Sequence, residues 1–251
     1  AESPGRRQTL ADFLAEYGML PAACVDFAGF LAAPERFMLG VGVGGEYPNE
    51  FEACGVPVSQ RGSRTDEALE VLHRTWSGTD VTFHGRYTTM NNFSLKPLPI
   101  QKPRPPIWVS GRKDVAMRRA ARFADGWLPY MYTPEQLAES IVKIKQFGEE
   151  CGRDLSDFTP GIFLFTAAHE DQATGFKMAN DKLSVQYSQD FTKLVDKYTL
   201  AGTPERCRAR LQEYLDAGAR FVFLSTACPD DYIDSNLALI ARDIVAPTRG
   251  A

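Results

Sequence analysis

The stretch Ile107-Trp108-Val109-Ser110-Gly111-Arg112-Lys113-Asp114 carries the clearest structural pattern in the chain. Its first three residues form a short apolar run that predicts a buried strand, and the glycine marks a tight turn. The segment 115–123 that follows is rich in alanine and arginine and predicts a helix, and residues 126–130 predict a second strand. A strand, a helix and a strand in this order predict a βαβ unit of a parallel sheet.

The same alternation continues on both sides of this unit. Further strands are predicted over 36–43, 161–166 and 221–225, and further helices over 65–76, 133–151, 172–197, 203–217 and 233–245. Residues 81–89 predict a small hairpin, and the proline-rich segment 97–106 predicts an extended surface connection. Five strand–helix repeats without a linker predict one α/β domain over residues 1–251. Either an open doubly wound sheet or a (β/α) barrel fits this pattern.

Composition narrows the classes of function. The chain has 251 residues, 44% of them hydrophobic and 24% charged, with a formal net charge of −4. This balance is typical of a globular protein, and the mild negative charge predicts neither a nucleic acid nor an anionic membrane as partner. No apolar run approaches the roughly 20 residues that span a bilayer, so a cytoplasmic location is expected. Five scattered cysteines and three isolated histidines predict reduced thiols and no metal site.

Glycines follow the first clear strand, in Gly40-Val41-Gly42-Val43-Gly44-Gly45. This run contains G-x-G-x-x-G, which in a dinucleotide-binding fold is followed at once by a helix. Here Glu46-Tyr47-Pro48-Asn49 intervenes, and the proline restricts the residue before it. The alternative is that the glycines allow a tight turn, or let a flat ligand approach the backbone.

The turn Ser110-Gly111-Arg112-Lys113 is the second candidate site. It lies between a predicted strand and a predicted helix, with two cations beside a glycine. The helix dipole, the unpaired amides of a first helical turn and two positive side chains together predict a phosphate-binding site. An ordinary polar turn with solvated cations is the alternative.

Several motifs in order resemble the luciferase-like flavin-dependent oxidoreductases, a family that includes bacterial luciferase and enzymes using coenzyme F-420 (F420, a deazaflavin). The matching segments are Arg36-Phe37-Met38-Leu39-Gly40-Val41-Gly42, residues 47–55 and 61–69, Pro105-Pro106-Ile107-Trp108-Val109-Ser110-Gly111-Arg112, residues 119–127, and residues 202–205 with 218–221. The resemblance implies a (β/α)8 TIM barrel of the luciferase-like type.

The resemblance also implies a cofactor, FMN or coenzyme F-420, at the carboxyl ends of the barrel strands. Ser110, Gly111, Arg112 and Lys113 would form the phosphate-binding loop, while Gly40, Gly42 and Gly44 would face the flavin ring. Val43 stands where bacterial luciferase has an arginine near the phosphate. The implied protein is an oxidoreductase or monooxygenase acting on a small organic substrate, and a homodimer, with a flavin reductase as a further partner.

The beginning of the chain departs from the family pattern. The five predicted units resemble the fourth to eighth units of the barrel, and only about 35 residues precede them, where three units would stand. Residues 9–17 and 22–33 predict helices, so 1–34 is an atypical segment and 35–251 an incomplete barrel. Dimerisation could cover the open edge, the N-terminal helices could fill the gap, or the chain could be an incomplete version of a longer protein.

The incomplete barrel leaves the function open. In the family, the histidine that faces the ring comes from the missing strands, so no catalytic residue is assigned. The principal alternative to an oxidoreductase is a non-catalytic flavin-binding or structural remnant of the family. An unrelated dehydrogenase that uses the glycine loop for NAD(P) is the third possibility.

Overall fold

A computed structural model describes residues 37–45 and 47–248, so the two predicted N-terminal helices lie outside the described residues. The strands are β1 (Leu39–Val41), β2 (Val81–His84), β3 (Thr89–Phe93), β4 (Ile107–Val109), β5 (Gly126–Trp127), β6 (Thr159–Ala168), β7 (Thr199–Gly202) and β8 (Phe221–Thr226). The helices are α1 (Pro48–Ala53), α2 (Arg61–Thr75), α3 (Asp114–Phe123), α4 (Pro134–Glu150), α5 (Gln172–Tyr187), α6 (Val195–Tyr198), α7 (Pro204–Asp216), α8 (Ile233–Leu239) and α9 (Ala246–Thr248). A π-helical turn, Ile240–Val245, joins the last two helices. None of the helices in these residues combines the length and apolar composition needed to cross a membrane.

The contacts group the described residues into two compact units. The first unit lies within residues 37–130 and 138–161, and its strands β1, β4 and β5 and the beginning of β6 pair in parallel. Its sheet is built on side chains that are almost completely buried, among them Ile107, Val109 and Trp127. Continuous apolar strands of this kind are typical of a parallel sheet covered by helices.

The second unit lies within residues 131–137 and 162–248. The larger part of β6 pairs there with β7 and with β8. The backbone N–H of Ala227, just after β8, donates to the carbonyl of Thr166, whereas the N–H of His169 donates to the carbonyl of Gly202 in β7. Because an even and an odd position of one strand face opposite edges, β7 and β8 lie on opposite edges of β6.

Two helices that start in this unit are capped by threonine. Thr133 and Gln136 exchange hydrogen bonds at the start of α4: the Gln136 N–H donates to the threonine hydroxyl, and the Thr133 N–H donates to the glutamine side chain. The Thr203 hydroxyl accepts from the Arg206 N–H at the start of α7, where Pro204 is the first helical residue. These contacts satisfy amides that a helix leaves unpaired at its beginning.

The predicted hairpin is present and is anchored on α2, but its second strand runs from Thr89 to Phe93, beyond the predicted end at residue 89. Strands β2 and β3 pair antiparallel, and the carboxylate of Glu67 accepts hydrogen bonds from the backbone N–H groups of Arg86 and Tyr87 in the turn. The side chain of Ser63 contacts the Tyr87 hydroxyl at 2.7 Å. The hairpin is therefore attached to the first unit through its turn.

Four details differ from the sequence-based expectations. Helix α1, which begins at Pro48, was not predicted; proline suits a first helical position. The predicted strand 126–130 pairs only over β5, and the predicted helix 172–197 is two helices, α5 and α6. Strand β7 was not predicted, because four residues leave almost no periodicity to detect.

Candidate functional site

The carboxyl ends of β1, β4 and β5 lie side by side in the first unit. Val41 pairs with Val109, and Val109 pairs with Trp127. The Ser110 N–H donates to the carbonyl of Val41 at 2.9 Å, and the Leu128 N–H donates to the carbonyl of Val109 at 3.0 Å. The structure therefore brings the glycine loop after β1 and the turn after β4 to the same edge of the sheet. In barrel enzymes this edge carries the active site.

On one face of these strands, two of the three paired residues are glycines, which have no side chain. Side chains alternate along a strand, so Gly40, Trp108 and Gly126, which are paired across the sheet, share a face. A Cβ atom added at Gly126 would lie 2.6 Å from the ring of Trp108. At Gly40 or Gly42 an added Cβ would meet no atom of the described residues within 4 Å. Gly40 in β1 and Gly42 just after it thus leave the backbone accessible beside the buried indole of Trp108, as the binding of a flat ring would require.

Gly44 differs from the two glycines before it. Its φ is +61°, and an added Cβ would lie 3.3 Å from the ring of Phe51. The conformation of the turn therefore favours glycine at this position whether or not a ligand binds. A contact between Gly44 and a cofactor stays a prediction.

The turn after β4 is tightly constrained at Gly111. Its φ is +127°, and an added Cβ would lie 2.6 Å from the Cβ of Ala116, in the first turn of α3. The carbonyl of Gly111 accepts a hydrogen bond of 2.8 Å from the indole Nε1 of Trp127, which is fully buried. Because φ is positive and α3 lies close, any residue other than glycine at position 111 would require the backbone to rearrange.

The side chains of Arg112 and Lys113 are exposed at this turn. The guanidinium of Arg112 lies 5.3 Å from the centre of the Tyr130 ring, a cation–π distance. Lys113 is the N-cap of α3, and no described side chain caps that helix. The carboxylate of Asp114 would oppose an anion here, but the ammonium of Lys143 lies 3.2 Å from it and offsets its charge. The two cations and the start of a ten-residue helix make this corner suitable for a phosphate group.

The structure adds three residues that the sequence analysis did not assign to the site. They are Trp127, which holds Gly111; Tyr130, which lies under Arg112; and Phe51, which lies against Gly44. The first two follow Gly126 in a predicted strand. The sequence could have indicated both residues, because they lie at the carboxyl end of that predicted strand and the carboxyl ends of parallel strands share an edge.

The second unit has a polar cluster of its own at the end of β6. The Nδ1 atom of His169 accepts from the Asp171 N–H at 2.9 Å, which leaves Nε2 to carry the proton of a neutral ring. The ring of Tyr232 lies 5.6 Å from it, and the tyrosine hydroxyl donates to the carbonyl of Ala168 at 3.3 Å. Burial raises the pKa of Tyr232, so its hydroxyl stays protonated at neutral pH. His169 and Tyr232 thus form a polar pair at the end of β6.

Parallel strands joined by helices, with a candidate anion site at their carboxyl edge, fit the (β/α)-barrel class, one of the two architectures that the sequence predicts. The sequence profile of the luciferase-like monooxygenases matches residues 31–182, and the chain belongs to this family. A second profile, of the D3 domain of MFD, matches residues 1–44.

An uncharacterised protein of Mycobacterium tuberculosis (strain H37Rv) is 38% identical over 134 residues, which are 53% of this chain and 46% of that protein. The chain thus spans less than half the length of this relative.

Solved structures show the same fold at low sequence identity. An F420-dependent secondary alcohol dehydrogenase in complex with an F420–acetone adduct superimposes with a TM-score of 0.71, at 20% identity over 82% of this chain and 68% of the other. The monooxygenase RslO1 from Streptomyces bottropensis gives 0.70, at 22% identity over 84% and 68%. The F420-dependent tetrahydromethanopterin reductase from Methanopyrus kandleri gives 0.64, at 17% identity over 84% and 74%. The predicted family is confirmed, and so is the predicted incomplete barrel of the luciferase-like type.

Proposed function

We propose that the chain is a flavin- or deazaflavin-dependent oxidoreductase, of the monooxygenase or dehydrogenase type, acting on a small organic substrate. The observation that carries the proposal is the hydrogen bond from the Ser110 N–H to the carbonyl of Val41, together with the register of the two strands. This hydrogen bond links two loops. In the loop that contains Gly40 and Gly42 a flat ring can approach the backbone, and the loop that contains Arg112 and Lys113 has the positive charge that suits a phosphate. FMN and coenzyme F-420 combine these two chemical groups.

The residues proposed to hold the cofactor are those of the two loops. Gly40 and Gly42 lie where a ring can approach the backbone, and Gly44 shapes the turn that follows. Ser110, Gly111, Arg112 and Lys113 are proposed to bind the phosphate. When bound, the reduced cofactor supplies a hydride or activates oxygen, while the protein orients the substrate and excludes water.

The neighbouring structures support both types of cofactor. Two of them are named as F420-dependent enzymes and one as a monooxygenase, at identities that establish the fold alone. A monooxygenase would need reduced FMN from a flavin reductase, and a dehydrogenase of the F-420 type would not. We propose a homodimer, which membership of the family supports, and a cytoplasmic location, which the composition of the chain supports.

The second candidate function is a non-catalytic flavin-binding or structural remnant of the family. Binding and turnover separate the two candidates. Tight binding with substrate-dependent reoxidation of the cofactor supports the enzyme, and tight binding without turnover supports the remnant.

The phosphate assignment is tested by the double variant Arg112→Ala/Lys113→Ala. Titration with FMN and with F-420 should show affinity weakened by about 1–3 kcal/mol, a factor of roughly 5 to 150 in Kd, because charge-assisted contacts to the phosphate are lost. The matched control is Arg122→Ala/Lys145→Ala, which removes the same charge from exposed positions on α3 and α4. Equal cofactor affinities in the two double variants would contradict the assignment of Arg112 and Lys113 to the phosphate site. Binding of NAD(P) alone would contradict the proposed function.

A further inference from the structure

A buried side chain fixes the backbone of the candidate phosphate turn. The indole Nε1–H of Trp127 donates to the carbonyl oxygen of Gly111 at 2.8 Å, across sixteen positions of the chain. Trp127 is fully buried, and a buried indole N–H requires an acceptor. The acceptor in this case is a main-chain carbonyl in the middle of the turn after β4.

This hydrogen bond determines the direction of the next amide. The carbonyl of Gly111 and the N–H of Arg112 belong to one peptide group, which is planar and trans, so the two bonds point in opposite directions. Because the carbonyl points to the buried indole, the Arg112 N–H points away from it. That amide immediately precedes the first turn of α3, where the phosphate is proposed to bind.

Glycine makes such a constraint necessary. Glycine has no Cβ atom, so its own backbone dihedral angles restrict the direction of its carbonyl less than those of other residues do. At Gly111 the φ is +127°, a conformation in which the carbonyl meets the indole. A phenylalanine at position 127 would fill similar space but would leave this carbonyl without its donor.

We propose that Trp127 is a positioning residue for the phosphate end of the cofactor. Its indole holds the Gly111–Arg112 peptide so that the Arg112 N–H faces the phosphate. This inference rests on the proposed function of the same site and extends it to a residue that touches neither the ring nor the phosphate.

The test compares Trp127→Phe with the unchanged protein in binding FMN and riboflavin, which differ only in the phosphate. We expect Trp127→Phe to weaken FMN binding about tenfold and to leave riboflavin binding unchanged, so that the preference for FMN falls about tenfold. Trp76→Phe, at the end of α2, is the matched control and should keep the preference of the unchanged protein. An unaltered preference in Trp127→Phe, or equal losses for both flavins, would show that Trp127 only packs.

A second measurement separates this inference from the proposed function. The amide resonance of Arg112 in the 15N-labelled protein is followed while inorganic phosphate is added. It should shift in the unchanged protein and in Trp76→Phe but not in Trp127→Phe. If flavins and deazaflavins fail to bind but the phosphate shift depends on Trp127, the proposed function is wrong and the positioning role holds. If phosphate does not shift the Arg112 amide in the unchanged protein, or shifts it equally in Trp127→Phe, the positioning role is overturned.

Discussion

Gly111 and Gly42 lie at the same edge of the sheet but differ in what a methyl group would meet there. At Gly111 an added Cβ would lie 2.6 Å from the Cβ of Ala116, and φ is +127°. At Gly42 an added Cβ would meet no described atom within 4 Å. The first glycine is needed by the fold, whereas the second is needed only if a ligand lies against it.

The two alanine variants should therefore separate stability from binding. We expect Gly111→Ala to lower the free energy of unfolding by about 1–3 kcal/mol, the typical cost of a strained backbone residue. Gly42→Ala should change stability by less than about 0.5 kcal/mol and still weaken binding of riboflavin, because the methyl group displaces the ring. Urea denaturation and flavin titration measure the two effects. Unchanged riboflavin affinity in Gly42→Ala would place the ring elsewhere.

At the scale of the elements, Asp125 joins three segments at the amino end of β5. Its carboxylate accepts two hydrogen bonds from the guanidinium of Arg104, at 2.5 and 3.0 Å, and one of 2.7 Å from the N–H of Ile107 in β4. Burial raises the pKa of Asp125, but the hydrogen bonds from Arg104 and Ile107 outweigh it and hold the pKa below its ordinary value. The charged carboxylate thus attaches the proline-rich segment 97–106 to the sheet.

Asp125→Asn should lower the free energy of unfolding at pH 7 by about 1–2 kcal/mol, a figure reduced for the partial exposure of the carboxylate. Because the pKa is lowered on folding, the stabilisation is present above the unfolded pKa, about 3.9, and is lost as pH falls through the folded pKa. The difference between the two proteins should therefore shrink below about pH 4. Denaturation at pH 7 and pH 3 measures it, and a difference independent of pH would contradict the assigned role of the charge.

The sequence predicted most elements because their signals are local. The apolar strands at 107–109 and 221–225 and the helices that follow Thr133 and Thr203 depend on neighbouring residues, and the structure confirms them. The two site loops could be placed together because parallel strands share their carboxyl edge. The contacts of Trp127 with Gly111 and of Arg112 with Tyr130 depend on the register of β4 against β5, which no local pattern encodes.

At the scale of the whole molecule, the edge of β1 that pairs with no described strand bears on the oligomeric state. The run Phe37-Met38-Leu39-Gly40-Val41 has the continuous apolar pattern of a strand covered on both faces, and in the described part of the chain β1 pairs with β4 alone. Phe37 and Met38 are about half exposed beside it, at 53% and 44%. Such an edge readily pairs with another chain.

A second copy could cover this edge, because a two-fold axis would place β1 antiparallel to its symmetry mate. We therefore expect sedimentation velocity to show a dimer at micromolar concentration. Phe37→Lys/Met38→Lys should shift it to the monomer, because charged side chains at an edge strand oppose pairing. Val185→Lys, at a position of α5 that is 82% exposed, is the control and should leave the dimer intact. A monomer in the unchanged protein, or a dimer that persists in the double variant, would exclude this edge as the interface.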